Sequence, residues 1–163
     1  MIYEDITSPI GRLRLLASGD ELVGIWFENG REAGKQASDL VKGPSPVLAS
    51  AQRQLEEYFR GERREFDLPL APRGTEFQQR VWRRLREIEY GTTTTYGALA
   101  QELGNPNASR AVGLANGSNP IPIVIPCHRV IGANGALTGF GGGLPIKSAL
   151  LALERAARQP PLL

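Results

Sequence analysis

Apolar and polar residues alternate over the first 27 positions of the chain, a pattern typical of strands with one buried face. Turn-forming residues interrupt the alternation twice, at 8–11 with Pro and Gly and at 19–20 with Gly and Asp. The pattern therefore predicts an antiparallel meander of three strands over residues 2–6, 13–17 and 22–27.

Helical periodicity takes over after a stretch rich in Gly, Lys, Ser and Pro. Apolar side chains recur at helical spacing over 47–59 and again over 75–88, where Thr75 and Gln78 have the spacing of a capping box. Four arginines lie on the polar side of the second helix. That basic side suits either solvent or a nucleic-acid backbone, and the pattern alone leaves both open.

Two short helices are predicted next, over 96–103 and 108–116, joined by a turn that contains Gly104. Such a helix-turn-helix is found in DNA-binding proteins and also as a plain packing unit. The second helix carries small residues and a single charge, Arg110, so its backbone can lie close to a partner. Because it lacks the long polar side chains of a major-groove reader, we do not expect it to read base sequence.

The charge balance changes sign near Pro72-Arg73-Gly74, where we place a domain boundary. Residues 1–72 carry nine Lys or Arg against twelve Asp or Glu, whereas residues 73–163 carry ten against five. The C-terminal domain is therefore the one expected to face a polyanion. Sixteen of the nineteen cations are arginine, which fits either contacts to phosphate or the bias of a GC-rich genome.

Composition disfavours several classes of protein. No apolar run approaches the roughly 18 residues of a membrane span, and the N-terminus lacks the pattern of a signal peptide, so a cytoplasmic protein without membrane contact is expected. One cysteine and one histidine are too few for a disulfide or a structural zinc site, and no metal or cofactor is predicted.

The single cysteine and the single histidine are neighbours, Cys127 and His128, at the end of an apolar run. Prolines at 120, 122 and 126 predict that this run is a stiff, buried, extended arm that delivers the thiol to one place. A thiol is a weak nucleophile at neutral pH unless its environment favours the thiolate. Because adjacent side chains diverge, we expect a water molecule to link the thiol to the imidazole.

Glu154 is the candidate for orienting the imidazole. It lies at the margin of an apolar stripe in a final helix predicted to begin near Pro145, and a carboxylate in that position needs a partner. A solvated edge position and a pair with Arg158 are the alternatives. The stripe is predicted to contain Ile146, Ala149, Leu150 and Leu153.

The segment before the final helix predicts a short hairpin that turns at Asn134-Gly135, followed by a glycine-rich stretch over 139–143. The stretch does not match a phosphate-binding P-loop, because Ile146 precedes Lys147-Ser148 where that motif requires Gly. We expect its glycines to bring the main chain close to a flat ligand, with plain loop flexibility as the alternative.

Five motifs together resemble the DNA alkyltransferases that repair O6-alkylguanine. The resemblance is continuous over about 75–154 and rests on length and strand layout over 1–72. It implies an α+β protein in which domain 1–72 has a small antiparallel sheet with a helix and is ribonuclease H-like. Domain 73–163 would be mainly helical, with a helix-turn-helix and winged-helix-like character. The motifs are Tyr96-Gly97, Ser109-Arg110-Ala111-Val112-Gly113, Asn119-Pro120, Ile125-Pro126-Cys127-His128-Arg129-Val130-Ile131 and Gly142-Gly143.

The resemblance implies that Cys127 takes the alkyl group from O6-alkylguanine, or from O4-alkylthymine, in double-stranded DNA. The thioether formed is stable, so each molecule would act once. His128 would act through water and Glu154, and Asn119 would be a hinge beside the site. Tyr96 would help to rotate the base out of the duplex and would protonate the leaving guanine.

The resemblance also implies how DNA is bound. Arg110 would enter the duplex in place of the extruded nucleotide, and the helix with Ala108, Gly113 and Asn116 would lie in the minor groove, which suits its slim surface. A monomer is expected, and cooperative binding along DNA is left open.

The extruded base would be held by main-chain atoms. The carbonyls of Cys127 and Val130 would accept from the guanine amino group, and the N–H of Gly141 would donate to O6. Two residues depart from the family pattern, since Ser118 stands where many relatives carry a basic residue and Phe140 where tyrosine is frequent.

Two other functions remain as alternatives. A cysteine hydrolase would turn over, but such enzymes usually take their histidine from a distant part of the chain, and this chain has none other than His128. A protein that recognises the lesion without chemistry is the second alternative, and the presence of Cys127 argues against it.

Overall fold

The N-terminal part is a four-stranded sheet covered by one helix. The computed structural model describes residues 1–30, 32 and 39–158, without the side chain of Arg158. The predicted antiparallel meander is confirmed, and a short strand adds to the first strand in parallel, giving the order β3-β2-β1-β4. The strands are β1 (Ile2–Ser8), β2 (Gly11–Ser18), β3 (Glu21–Phe27) and β4 (Val41–Lys42).

The predicted first helix is also confirmed, as α1 (Pro46–Phe59). The side chain of Ser45 caps its N-terminus by accepting from the Leu48 N–H. One side of α1 is completely buried against the sheet, including Ala51, Leu55 and Tyr58. The buried side chain of Tyr58 also contacts a residue of the C-terminal part.

The C-terminal part is mainly helical, as predicted. Thr75 and Gln78 form both hydrogen bonds of the predicted capping box. The Trp82 indole then donates to the Ala115 carbonyl at 2.8 Å, which fixes the capped helix against the helix-turn-helix. The boundary after residue 72 stays a prediction. The elements are α2 (Glu76–Leu85), β5 (Thr94–Thr95), α3 (Tyr96–Glu102), α4 (Ser109–Gly117), β6 (Val130–Ile131) and α5 (Leu144–Arg158).

The proline-rich run before Cys127 is buried, but the prediction that it is extended is wrong. It is a compact turn in which the Ile125 N–H donates to the Ile121 carbonyl at 2.9 Å. Ile123 reverses the chain with φ at 74°, which β-branched residues rarely adopt. Each proline fixes its own φ and restricts the residue before it, but Ile123 and Val124 are neither proline nor followed by proline, so they are able to turn.

The prediction of a hairpin after His128 is half right. The turn at Asn134-Gly135 is present, with Gly135 at φ 81° and the Gly132 N–H donating to the Ala136 carbonyl at 2.8 Å. However, β6 pairs in parallel with β5 and not with a following strand. The pairing with a segment about 36 residues earlier was not visible in local alternation.

The predicted apolar stripe of the final helix is confirmed in part, because Leu150 is buried and Ile146 and Leu153 are half-buried against the core. Ala149 is exposed, whereas Lys147, Leu150, Leu151 and Glu154 are buried, at positions i, i+3, i+4 and i+7. Two charged side chains thus lie on the inner side of α5. Within the described ranges, none of the helices is both long enough and apolar enough to cross a membrane.

Candidate active site

Cys127 begins a single 3-10 turn, Cys127–Arg129, and its side chain is buried. The turn before it is held by Asn119, whose Nδ2 donates to the Ile125 carbonyl at 2.7 Å while its Oδ1 accepts from the Ile121 N–H at 3.0 Å. One amide side chain therefore closes both ends of the strained turn at Ile123. This arrangement places the thiol without requiring the extended arm that the prolines predicted.

The structure brings His128 and Glu154 together. The imidazole Nε2 lies 2.6 Å from Oε2 of the carboxylate, and both side chains are at most 1% exposed. That burial excludes the alternative of a solvated edge position for Glu154. The side chain of Arg158, the other alternative partner, lies outside the described residues.

Three further groups donate to Glu154, and the sequence did not predict them. Arg129 donates from Nε to Oε1 at 2.8 Å and from Nη2 to Oε2 at 3.0 Å. The Tyr58 hydroxyl donates to Oε2 at 2.6 Å, and the Gly91 N–H lies 3.4 Å from Oε1. Arg129 directly follows Cys127-His128, so the sequence motif could have indicated its involvement. Nothing in the sequence indicated that Tyr58 contacts a residue 96 positions away.

These contacts determine the protonation states. Burial lowers the pKa of His128 below its ordinary value, and this outweighs the attraction of the neighbouring carboxylate. Burial alone would raise the pKa of Glu154, but the hydrogen bonds from His128 and Arg129 outweigh it and lower that pKa to about 2. The pair is therefore a neutral imidazole and a carboxylate at neutral pH.

A carboxylate only accepts hydrogen bonds, so the proton between the two groups belongs to His128 Nε2. The other ring nitrogen, Nδ1, then has a free lone pair and can accept a proton. Nδ1 is buried and has no hydrogen-bond partner among the described residues. The imidazole is thus prepared to act as a base toward a neighbouring group.

The thiol lines a cleft of about 20 Å³, which is room for one water molecule. Its walls come from both halves of the chain, because Phe140 of the glycine-rich stretch packs on Phe27 of β3 with the ring centroids 5.4 Å apart. Asn116 and Asn119 form another wall. A small cleft between thiol and solvent suits a reaction that excludes bulk water.

Lys147 is the second charged residue on the inner side of α5. Its Nζ donates to the Val130 carbonyl at 2.6 Å and to the Thr138 carbonyl at 2.9 Å, and the side chain is fully buried. Burial lowers its pKa, whereas a negative charge on Cys127 raises it, so the ammonium lies within electrostatic range of the sulfur. The sequence could have indicated this, because Lys147 lies three and seven residues before Leu150 and Glu154, on the same side of the predicted helix.

A wider groove of about 600 Å³ lies on the outer side of the glycine-rich stretch. Arg110 and Tyr96 both line it, and the Thr138 hydroxyl donates to the Tyr96 hydroxyl at 2.8 Å. Leu114 lines it as well and is 73% exposed, which the sequence did not single out. Gly141 lines both the groove and the thiol cleft, so the glycine-rich stretch is the wall between them.

The predicted DNA-contacting residues of α4 do not share one surface. Gly113 lines the outer groove and Ala108 is half-buried, but Asn116 is only 3% exposed. The Asn116 Nδ2 donates to the Cys127 carbonyl at 3.3 Å, so its side chain faces the reactive turn and not the solvent. The assignment of Asn116 to a DNA-facing surface is therefore corrected; the outward positions are Arg110, Ala111, Leu114 and Gly117.

Family models account for most of the chain. The model described as "6-O-methylguanine DNA methyltransferase, ribonuclease-like domain" matches residues 1–72, and the one described as "6-O-methylguanine DNA methyltransferase, DNA binding domain" matches residues 76–156. Together they leave out only the linker and the C-terminal end.

Individual relatives agree with the family models. The methylated-DNA--protein-cysteine methyltransferase of Methanosarcina acetivorans is 51% identical over 154 residues, which are 94% of this chain and 98% of that protein. The protein of the same name from Mycobacterium tuberculosis is 50% identical over 155 residues, 94% of this chain and 92% of that protein. The crystal structure of Mycobacterium tuberculosis OGT in complex with DNA has a TM-score of 0.90 at 48% identity and covers 96% of this chain and 94% of that chain. The chain therefore belongs to the 6-O-methylguanine DNA methyltransferase family, whose members are DNA repair enzymes that transfer an alkyl group to a protein cysteine.

Proposed function

We propose that this protein repairs O6-alkylguanine in double-stranded DNA by moving the alkyl group irreversibly to Cys127, and that O4-alkylthymine is a second substrate. The observation that carries the proposal is the 2.6 Å contact between His128 and Glu154 in the turn that bears the thiol. The names of the curated relatives, and the relative crystallised with DNA, support it.

The first step is removal of the thiol proton. Nδ1 of neutral His128 accepts it through one water molecule, and Glu154 stabilises the imidazolium that forms. The Lys147 ammonium, within range of the sulfur, favours the negative thiolate. This arrangement explains why a thiol that is only slightly ionised in water reacts at neutral pH.

The second step is an in-line displacement at the alkyl carbon. The sulfur of Cys127 forms its bond to that carbon while the bond from carbon to guanine O6 breaks and its electron pair stays on the guanine. Tyr96 donates a proton to the leaving base, and the proton now on His128 restores the phenol. Because a thioether is a poor leaving group, the product does not revert and each molecule reacts once.

Main-chain groups hold the base. The Cys127 carbonyl already accepts from Asn116 and from the Val130 N–H, so the guanine amino group must replace the longer of its contacts, the one to Asn116 at 3.3 Å. The Val130 carbonyl accepts from Lys147, and a carbonyl oxygen has two lone pairs. The N–H of Gly141 donates to O6. Entry of the base from the outer groove requires the glycine-rich wall to shift, which its four glycines favour and which Phe140 must follow.

DNA lies along α4 with its minor groove against the slim outward side of that helix. Arg110, exposed at the start of α4, enters the stack and takes the place of the extruded nucleotide. Ala108 and Gly113 allow the helix to approach closely. The monomeric state stays a prediction.

The test uses duplex DNA with a radiolabelled methyl group on guanine O6. We expect label on the peptide that contains Cys127, saturating near one per protein, and none on a Cys127→Ser variant. Multiple turnover would support a hydrolase, and binding of the lesion without transfer would support a recognition protein. Either result overturns the proposal.

A further inference from the structure

Tyr58 connects the N-terminal helix α1 to the Glu154 carboxylate. It lies in α1, 96 positions before Glu154, is 0% exposed, and its hydroxyl is 2.6 Å from Oε2. The proposed reaction gives no function to this buried hydroxyl. It is one of the shortest contacts of the site and it joins two distant parts of the chain.

The phenol ring is fixed in place by aromatic neighbours. Phe59 and Phe66 lie at centroid distances of 5.4 and 5.5 Å, and Tyr90 lies edge-on at 6.2 Å. Burial, and then the charge of Glu154, raise the pKa of Tyr58 far above its ordinary value. The hydroxyl therefore stays protonated over the whole working range of pH and acts as a permanent donor to the carboxylate.

Tyr58 shares its acceptor with the catalytic base. Oε2 accepts from Tyr58 at 2.6 Å, from His128 at 2.6 Å and from Arg129 at 3.0 Å. Donors on one oxygen compete, because each draws electron density that the others would use. We propose that Tyr58 is a positioning residue of the alkyl-transfer site, which sets the orientation and the basicity of His128 through Glu154. For its catalytic consequence this inference rests on the proposed function.

The other groups around Glu154 stay unchanged when Tyr58 becomes phenylalanine. Arg129 and the Gly91 N–H face the carboxylate, Tyr90 lies beyond them, and Arg64 stacks over Tyr90 at 5.3 Å. Lys147 acts on His128 from α5 and lowers its pKa. All of these charges are kept in Tyr58→Phe, which removes one neutral donor.

Loss of the Tyr58 hydroxyl should raise the pKa of His128. Without that hydroxyl, Oε2 is a stronger acceptor for the His128 Nε2–H, and this favours the protonated imidazole. A residue needed only for packing would leave that pKa unchanged, because the ring itself is kept. The direction of the shift therefore separates positioning from a purely structural function.

His128 is the single histidine of the chain, so NMR of ring-labelled protein observes it without overlap. We expect Tyr58→Phe to move the Nε2–H proton downfield and to raise the pKa of His128. The acid limb of the pH profile for alkyl transfer should move upward by the same amount. Tyr3→Phe is the matched control, because it removes a hydroxyl from β1, where the ring contacts Arg14, and should change none of these quantities.

Equal Nε2–H shifts in Tyr58→Phe and Tyr3→Phe would overturn the inference, and so would a moved NMR pKa with an unmoved acid limb. If Tyr58→Phe does not fold, the wild-type protein supplies the test: a slowly exchanging Tyr58 hydroxyl proton with a cross-peak to the His128 Nε2–H is expected, and its absence counts against the contact. Failure of wild-type transfer would refute the proposed function, while the NMR result would still decide the contact.

Discussion

The guanidinium of Arg129 contacts both oxygens of the Glu154 carboxylate, with Nε 2.8 Å from Oε1 and Nη2 3.0 Å from Oε2. Its remaining nitrogen donates to the Ile88 carbonyl at 2.7 Å. Arg129 thus keeps the carboxylate ionised in a buried place, beside the His128 imidazole. In the proposed reaction, stability and reactivity would depend on the same three side chains, Arg129, Glu154 and His128.

Arg129→Met should destabilise the protein strongly, because it leaves the charge of Glu154 buried without its cation. Loss of one partner of a buried pair costs about 3–5 kcal/mol. Urea denaturation measures the free energy of unfolding. Arg60→Met is the control, since Arg60 and Glu62 form an exposed pair that should contribute little. Similar stability losses in the two variants would contradict the importance of the buried pair.

Acid should destabilise the protein in two stages. Both His128 and Glu154 have folded-state pKa values below their ordinary ones, so the unfolded chain binds more protons and stability falls as pH falls. The loss begins below the ordinary 6.5 of histidine and continues from 4.5 toward about 2 for the carboxyl. The second stage contributes up to about 3 kcal/mol. Free energies of unfolding measured from pH 7 down to about pH 2 test this, and Glu154→Gln should flatten the second stage.

Arg110→Ala should slow repair of duplex DNA by more than about tenfold while leaving attack on a free alkylated guanine base almost unchanged. Only the duplex requires extrusion of a nucleotide, which costs a few kcal/mol. Single-turnover rates on the two substrates measure the difference. Arg53→Ala, at an arginine of α1 outside the groove, should affect neither rate. Equal losses on both substrates would remove Arg110 from the extrusion step.

Leu114→Ser should weaken the reaction with duplex DNA about fivefold, because a Leu side chain that is 73% exposed beside Arg110 becomes buried when the minor groove closes on it. The same change should leave thermal stability intact, since Leu114 packs little in the free protein. Val41→Ser tests another exposed apolar residue, on β4, which is 63% exposed, and it should not alter repair. A normal DNA affinity of Leu114→Ser would place the duplex elsewhere.

Lys147→Met should slow alkylation of Cys127 by iodoacetamide about tenfold at neutral pH, because the thiolate loses a nearby positive charge. The chain has one cysteine, so the label reports this site alone. Lys42→Met, on the exposed strand β4, is the control. An unchanged rate in a folded Lys147→Met protein would show that the ammonium serves only to join the Val130 and Thr138 carbonyls.

Short sequence motifs correctly predicted those features of the structure that depend on residues close together in the chain. The capping box of Thr75 and Gln78 and the turn at Gly135 depend on neighbours within four residues, and both are present. The apolar pattern of α5 correctly predicted that Leu150 is buried, but it wrongly included Ala149 and did not count Lys147, because a charged residue is not expected on a buried side. The side of α4 that faces inward was also missed, since small residues give a helix no clear apolar direction.

The sequence by itself determined the family to which its motifs belong, and it predicted Cys127 and His128 as the reactive pair. Only the tertiary structure decided what surrounds that pair. Tyr58 and Glu154 meet across 96 positions because α1 and α5 pack on one core, and no local pattern encodes that contact. The reversal of the chain at Ile123 likewise depends on the Asn119 side chain, which supplies hydrogen bonds that compensate the strain of a positive φ.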